Sequence, residues 1–513
     1  MVWHIFRKDW KLQWKLFLAV AAIQFLPAII RVKLGLFGED PTLEYLLAPL
    51  GYIVIVASAL LTVVIVQQDS IPSSREDWLT RPVRRSDLLL AKLLFAVVLV
   101  QSAVLSADTF LGIATGFSVG PAFSAALAHN LYWLAVVTLP AFMLASITRN
   151  MTEAIVGGVL GFCGASAILI LSIVVRGGQA AYIRETIKIG EAWVALYASH
   201  LLVLLGACAV LGLQYFRRKT TATRWLAGTL LLLFVAVQQF LPWKVMFAVE
   251  RRMSPNPSAD RSLTLAFDPS VGRFQDPSGV RADDGTKPEA YLPVQVEGLP
   301  KDTVLQVDKS EVRITDSSGH IVYRGEEDTW EFRGTGAAKS AAYQKLALPG
   351  SLYERFKDRP LRLEFDYSIT LLRVSSTYAV PALHGDLRKP GLGICATETN
   401  ETGTAVELRC RQAGNSPTCR SAFLLDTATS RQNPEMYRCE PDYSPSLERA
   451  NRTPLSSYGV NLPFRDPAGL THYPVEGPQL QKSSVMVSLF EQEDHFSRHL
   501  IIPSVRLTEW EAQ

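Results

Sequence analysis

Seven apolar runs fill the first half of this chain, and none follows. A helix that crosses the hydrocarbon core of a bilayer needs roughly 20 consecutive apolar residues. Runs at about 16–32, 45–66, 89–116, 126–147, 154–175, 193–215 and 225–247 meet that length. The third is long enough to tilt or break. Trp133, Trp193, Trp225 and Trp243 flank the runs, where an amphipathic ring suits the membrane–water interface. No run of this length occurs beyond Arg252. The pattern predicts an α-helical transmembrane bundle of about seven spans, followed by a β-rich, sandwich-like extracytoplasmic domain.

Charge divides the chain at the same place. Through Arg252 there are 22 Lys/Arg and 13 Asp/Glu, and beyond it 29 and 35, so a basic half and an acidic half nearly cancel. The basic excess lies between apolar runs, where membrane topology explains it, and neither half reads as a nucleic-acid binder. With the N-terminus inside, the cytoplasmic segments hold Arg7, Lys8, Lys11, Lys15, Arg75, Arg81, Arg84, Arg85, Lys92, Arg149, Arg217, Arg218, Lys219 and Arg224. The outer loops hold only Arg31, Lys33, Arg176, Arg184 and Lys188. Fourteen against five predicts a cytoplasmic N-terminus, and seven crossings then carry everything after residue 250 outside. The first apolar run starts late, lacks a small-residue cleavage site and is followed by six more, so it reads as a span rather than a signal peptide.

Cysteine usage agrees. Cys163 and Cys208 fall inside apolar runs and read as small apolar residues. Cys395, Cys410, Cys419 and Cys439 cluster in the second half, an even set that in an oxidising compartment forms two disulfides, with three pairings open. Their spacings of 15, 9 and 20 contain no C-x-x-C pair, which argues against zinc.

Four segments follow from these divisions: an interfacial amphipathic helix over 1–15, a transmembrane domain over 16–250 with a cytoplasmic loop at 67–88, a linker over 251–290 and the β-rich domain over 291–513. Through "MVWHIFRKDWKLQWK" and just past it, Trp3, Phe6, Trp10, Trp14 and Phe17 recur at steps of three and four among basic residues, the pattern of a helix lying in the membrane surface. A plain basic start to the first span is the alternative. The 251–290 stretch is rich in Pro, Ser, Asp and Gly. Beyond it the period becomes two. In "PLRLEFDYSITLLR", Leu361, Leu363, Phe365, Tyr367, Ile369 and Leu371 alternate with polar neighbours, the mark of a strand with one buried face. "SEVRITDSSGHIVYRG" reads as a hairpin turning at Asp316–Gly319, and "SSVMVSLF" and "SVRLTEW" read as two further strands.

Chemistry-bearing motifs are scarce. "GTGAAKS" at Gly334–Ser340 imitates a phosphate loop, but Ala338 stands where a glycine must precede the lysine. His495 and His499 lie four apart with no third strong metal ligand, in a stretch that reads as a turn between strands. No H-E-x-x-H pattern occurs, so neither catalytic residues nor a metal site is expected and no cofactor is assigned to this chain. Gly157, Gly161 and Ala165 form a small-residue stripe suited to close helix packing. Asp108 is the one acid well inside a predicted span. It is either an intramembrane functional group or an acid near the outer end of an overlong helix that water reaches.

The most informative stretch is "SSREDWLTRPVRRSDLLLAKLL", Ser73–Leu94. Ser73 and Glu76 form a capping box, Pro82 stops that helix within about two turns, and Ser86 and Asp87 cap the next span. A short charged helix between two spans on the inner face is what a docking element needs. The phrase "WLTRPVRRSDLLLAKLL", with "HIFRKDWKLQW" before the first span, resembles the membrane subunits of type-2 ABC exporters over roughly residues 1–220. The resemblance implies that Arg75, Glu76, Trp78 and Arg81 belong to a coupling helix docking on a separate ATP-binding subunit, and that "HIFRKDW" is the interfacial elbow. It further implies a second permease chain, in a homodimer or heterodimer, and ATP hydrolysis only in the partner. Members commonly have six spans with both ends inside, so the seventh run and the outer domain depart from the pattern. The reading that follows is a permease subunit of an exporter in a bacterial inner membrane. The alternative is a membrane-anchored sensor or assembly factor whose outer domain binds a ligand or protein.

Overall fold

The computed structural model describes residues 1–38, 41–69, 84–175, 192–254, 263–274, 289–327, 331–333, 340–389, 391–414, 418–433, 435–440, 454–465 and 475–511. Among the described residues, seven helices are long and apolar enough to cross a membrane. In chain order they are α1 (Val2–Leu34), α2 (Pro41–Gln67), α3 (Arg85–Phe95) running into α4 (Gln101–Ala114), α5 (Val119–Trp133) running into α6 (Leu139–Ile147), α7 (Met151–Val175), α8 (Ala192–Gly212) and α9 (Thr220–Phe240). The junctions at Ala96–Val100 and Leu134–Thr138 are π-turns, so the third and fourth spans change helical register midway without ending. Such a turn absorbs one extra residue and leaves backbone groups shared less regularly, which is why it recurs at functional sites.

Two expectations change here. Residues 1–15 are not set off from the first span, because α1 runs unbroken over 33 residues. At 1.5 Å per residue that is roughly 50 Å, well beyond a hydrocarbon core. Nothing between Lys15 and Leu16 stops a helix, and Pro27 lies far inside it. The seventh apolar run does not extend to 247. Pro242 cannot continue α9, which stops at Phe240, and a separate amphipathic helix α10 (Trp243–Met253) begins beyond it.

The remainder is β-rich, with one short helix, α11 (Gly350–Phe356). Its strands are β1 (Thr264–Phe267), β2 (Glu289–Glu297), β3 (Thr303–Thr315), β4 (Ile321–Glu327), β5 (Glu331–Arg333), β6 (Ser340–Ala347), β7 (Leu361–Pro381), β8 (Asp386–Lys389), β9 (Gly393–Thr399), β10 (Ala405–Ala413), β11 (Thr418–Asp426), β12 (Met436–Glu440), β13 (Leu455–Pro463) and β14 (Ser483–Val505). β1 therefore lies inside the stretch expected as linker.

A long sheet ordered β12-β11-β14-β7-β3-β4 is the spine, with β5 also paired to β3. β7 and β14 pair antiparallel over 21 and 23 residues, so each is long enough to serve two cores. At one end, the alternation Leu361, Leu363, Phe365, Tyr367, Ile369, Leu371 faces Leu292, Val294 and Val296 of the small sheet β1-β2-β6. At the other end, Val380, Val485 and Val487 face Val406, Leu408 and Tyr458 of the sheet β13-β10-β9-β8. The expected sandwich is thus two sandwiches sharing one long sheet. The hairpin at Asp316–Gly319 forms as expected. Asp316 Oδ1 accepts from the backbone N–H of Ser318 and His320, and Gly319 supplies the φ of 86° that closes the turn.

"SSVMVSLF" opens β14, but "SVRLTEW" contributes only its end and a 3-10 turn at Leu507–Trp510. The polar run between them is no turn. It is the middle of β14, with register shifts on either side of it.

Candidate functional site

The two ends of the bundle differ in what they gather. At one end are Lys8 and Asp9 of α1, Asp69 just past α2, Lys92 of α3, and the connections α6–α7 and α8–α9. Gln67 donates to Thr148 Oγ1 at 2.9 Å, Arg85 to the Phe216 carbonyl at 3.2 Å, and Arg224 to the Ile147 carbonyl at 3.1 Å. At the other end sits the β domain. Arg409 donates to the Phe37 carbonyl at 2.6 Å and Arg411 to that of Gly35 at 2.6 Å, closing the carbonyl-rich end of α1 with cations. Gly116, in the α4–α5 turn with φ 99°, lets the same domain approach, since a β-carbon there would lie 3.0 Å from Arg388 Nη1.

The first end carries the candidate site. Lys92 Nζ lies 2.8 Å from Asp9 Oδ2 and 2.7 Å from Asp69 Oδ2. Lys8 Nζ lies 3.0 Å from Asp69 Oδ1 and 4.0 Å from Asp9 Oδ1. Two cations and two carboxylates make a neutral group, the condition under which charges can be buried at tolerable cost. The side chains of Lys92 and Asp9 are wholly buried, whereas that of Lys8 is 45 % exposed and opens the cluster to the aqueous side. Ile5, Leu88, Ala91 and Tyr215 form the apolar seat beneath it. The cluster fixes three helices at one point, because its members come from α1, the end of α2 and the start of α3.

The residues expected to couple, Arg75, Glu76, Trp78 and Arg81, lie outside the described residues. Both stems of their loop are described, and both are clamped. Asp69 ends one stem in the ion cluster, while the other enters α3 at Arg85, two turns before Lys92. Lys92 appears in the sequence only as one more inner-face cation, and Asp9 as a lone acid among basic residues. Neither shows its partner.

Asp108, on α4, has a partner on α5. Its Oδ2 lies 2.6 Å from His129 Nδ1 on α5. One to two turns away Gln101 donates to Thr138 Oγ1 at 2.6 Å, and Asn130 to the Gln101 carbonyl at 2.8 Å. Both π-turns border this polar seam, so α4 and α5 meet through hydrogen bonds as well as through the close Gly112–Ala122 contact.

Among the cysteines, Cys395 and Cys410 are bridged across the β9–β10 pair. Cys419 is also disulfide-bonded, and the residue opposite it in the β11–β12 register is Cys439. Cys163 and Cys208 are free. His495 and His499 do not form a pair: they stand four residues apart on a strand, roughly 13 Å, and bond separately to Thr370 and Asp366. Residues 334–339 of the phosphate-loop mimic lie outside the described residues. No group of three or more metal-ligating side chains occurs among those described.

No protein-family model matches this chain, and no curated protein matches it in sequence.

Proposed function

We propose that the chain is the permease subunit of an ATP-driven exporter of the ABC type in a bacterial inner membrane, working with a separate ATP-binding subunit and a second permease chain. The observation that carries this reading is the neutral ion cluster at the stems of the 70–83 loop. A loop can pass force to a bundle only if its ends are fixed to rigid helices. Asp69 and Lys92 tie the two stems to each other and to α1, so displacement of the loop moves three helices together. In this reading Arg75, Glu76, Trp78 and Arg81 contact the ATP-binding subunit. Its nucleotide-driven dimerisation then biases the bundle between two packings. The N-terminus is cytoplasmic and the β domain extracytoplasmic.

Seating of the β domain on the bundle through Arg409, Arg411 and α10 favours a second reading, an anchored sensor whose outer domain passes a signal inward. Co-purification separates the two. Wild-type chain brings down an ATP-binding subunit and the Trp78→Ala variant loses it, since large aromatic side chains dominate small docking interfaces. Membrane insertion is unchanged in both. A wild-type chain that captures no ATP-binding subunit ends the permease reading.

A further inference from the structure

Gln306, Thr370 and His495 stand opposite one another on three adjacent strands, β3, β7 and β14. Strand alternation puts Val307, Ile369 and Phe496 in the core, so this row belongs to the outward face and should be wet. All three are buried instead, along with Asp308. What covers this face is α10. Phe247 meets the His495 ring edge-on at 6.3 Å, Ser254 accepts from the His495 backbone N–H at 2.9 Å, and Trp243 receives Lys309 over its ring at 5.0 Å. Register shifts fall beside the row on both outer strands, between Val307 and Lys309 and between Gln492 and Asp494. The first leaves Asp308 without a register partner on β7, on the face of Gln306 two residues before it.

Under the helix the polar groups form one chain. Gln306 donates to Asp308 Oδ1 at 2.8 Å, Thr370 Oγ1 bonds Asp308 Oδ2 at 2.5 Å, and Thr370 Oγ1 also bonds His495 Nδ1 at 2.9 Å. A nucleophile triad needs the imidazole between acid and hydroxyl, whereas here the hydroxyl is between. The order is that of a proton relay. Thr370 donates to the Asp308 carboxylate and accepts from His495 Nδ1–H; passing a proton from the imidazolium through Thr370 to the carboxylate turns a buried ion pair into a neutral carboxyl and a neutral imidazole, with both hydrogen bonds reversed.

We infer that Asp308, Thr370 and His495 are a proton-binding latch, and that the proton they hold sets how firmly α10, and through it the end of the transmembrane bundle, sits on the β domain. The seat is otherwise slight, since Phe247 and Glu250 are the only buried side chains of α10. The charged and titratable groups around the row are Lys244 and Glu250 on α10, Lys309 and Glu311 on β3, Glu326 on β4, Arg373 on β7, and Glu493 and Asp494 on β14. Lys309 is held by Glu311 and Glu326, Lys244 faces Glu311, and Arg373 pairs with Glu493. Burial, with the Glu250 charge adding to it, holds the Asp308 carboxyl well above the ordinary 3.8 despite the hydrogen bonds from Thr370 and Gln306. Burial pushes His495 down to about 4 from the ordinary 6.5.

The proton count gives the sign. Seated, the relay keeps one proton, on Asp308. Lifted into water, between about pH 4 and 6.5 it also keeps one, now on His495, so seating does not depend on pH. Above 6.5 the lifted state holds none, and the seat weakens by about tenfold per pH unit until the seated carboxyl itself ionises.

The test uses the full chain in nanodiscs with Cys163 and Cys208 replaced by Ala and nitroxide labels at the exposed Arg251 and Arg324. Pulsed dipolar spectroscopy reads the fraction seated from pH 4.5 to 9. In wild type the ratio of seated to lifted chains is level up to about pH 6.5 and then falls by about tenfold per unit while Asp308 keeps its proton. Asp308→Asn reverses the slope, its seat weakening as pH falls below 6.5, because His495 is then the remaining member that titrates. His495→Gln declines from about pH 4 upward. Phe247→Ala loosens the seat at every pH and keeps the wild-type slope, which separates lost packing from a lost proton. A seat level from pH 5 to 9, or the same profile in wild type and Asp308→Asn, overturns the inference.

Discussion

Lys92 interrupts the apolar run "LLLAKLL", and a cation there is tolerable only because Asp9 and Asp69 meet it. Removing one partner of a buried pair strands the other charges, at a cost of about 3–5 kcal/mol. Lys92→Met is therefore expected to destabilise the purified chain by that amount in denaturant unfolding in detergent. Lys8→Ala, at the exposed edge, should cost less than about 1 kcal/mol. Adding Asp9→Asn to Lys92→Met should recover part of the loss; equal effects of Lys92→Met and Lys8→Ala would show that the cluster is no structural clamp. None of this pairing was visible in one dimension, since Asp9 and Lys92 are 83 residues apart and each has a local explanation that needs no partner. Asp108 was visible as an anomaly, because an acid in an apolar run is either an intramembrane group or one near a helix end that water reaches. His129 was not, because a histidine near a span end attracts no notice until the fold brings the two together.

Helices and strands with one dominant period were legible, and the misreadings fall where a second influence acts on the same residues. β7 announces itself because one face is apolar for its whole first half while the other opens with the exposed Arg362 and Asp366. β14 was broken in two because "EQEDHFSRH" is polar on both faces by composition. Its outward face lies under α10 rather than in water, and bulges interrupt its alternation. The α9–α10 break was missed for the opposite reason: hydrophobicity continues through Pro242 into Trp243 and Val245, while backbone geometry does not. Cys395 and Cys410 sit opposite each other on paired strands, which decides one pairing that spacing left open. Cys395 and Cys410 close a short loop between neighbouring strands, a crosslink of the kind that contributes about 3 kcal/mol by restricting the unfolded chain. Thiol labelling of unreduced, denatured protein should reach Cys163 and Cys208 only. Modification of Cys419 and Cys439 as well would remove the second bridge and leave the first.

At the scale of the whole molecule, an odd number of crossings must put the two ends of a chain on opposite sides of a bilayer. Seven helices of sufficient length and apolarity meet that count, and the contacts agree without reference to hydropathy. The β domain touches the turns after α1 and α4 and the helix after α9, all at one end of the bundle. Lys8, Arg85 and Arg224 all lie at the other, where the basic excess of the sequence also falls. The seventh long helix has a simple physical role here: without α9 the β domain would begin at the same end of the bundle as the ion cluster. A C-terminal alkaline phosphatase fusion is therefore expected to be active in a bacterial host and a C-terminal green fluorescent fusion dark. Deleting α9 together with the short turn before it should invert both readouts, because it removes one crossing and leaves the inner-face cations that orient the first six. A dark phosphatase fusion on the intact chain would mean that one of the seven helices does not cross. The long α3–α4 and the Pro-terminated α9 would then be the first to examine by cysteine accessibility along their length.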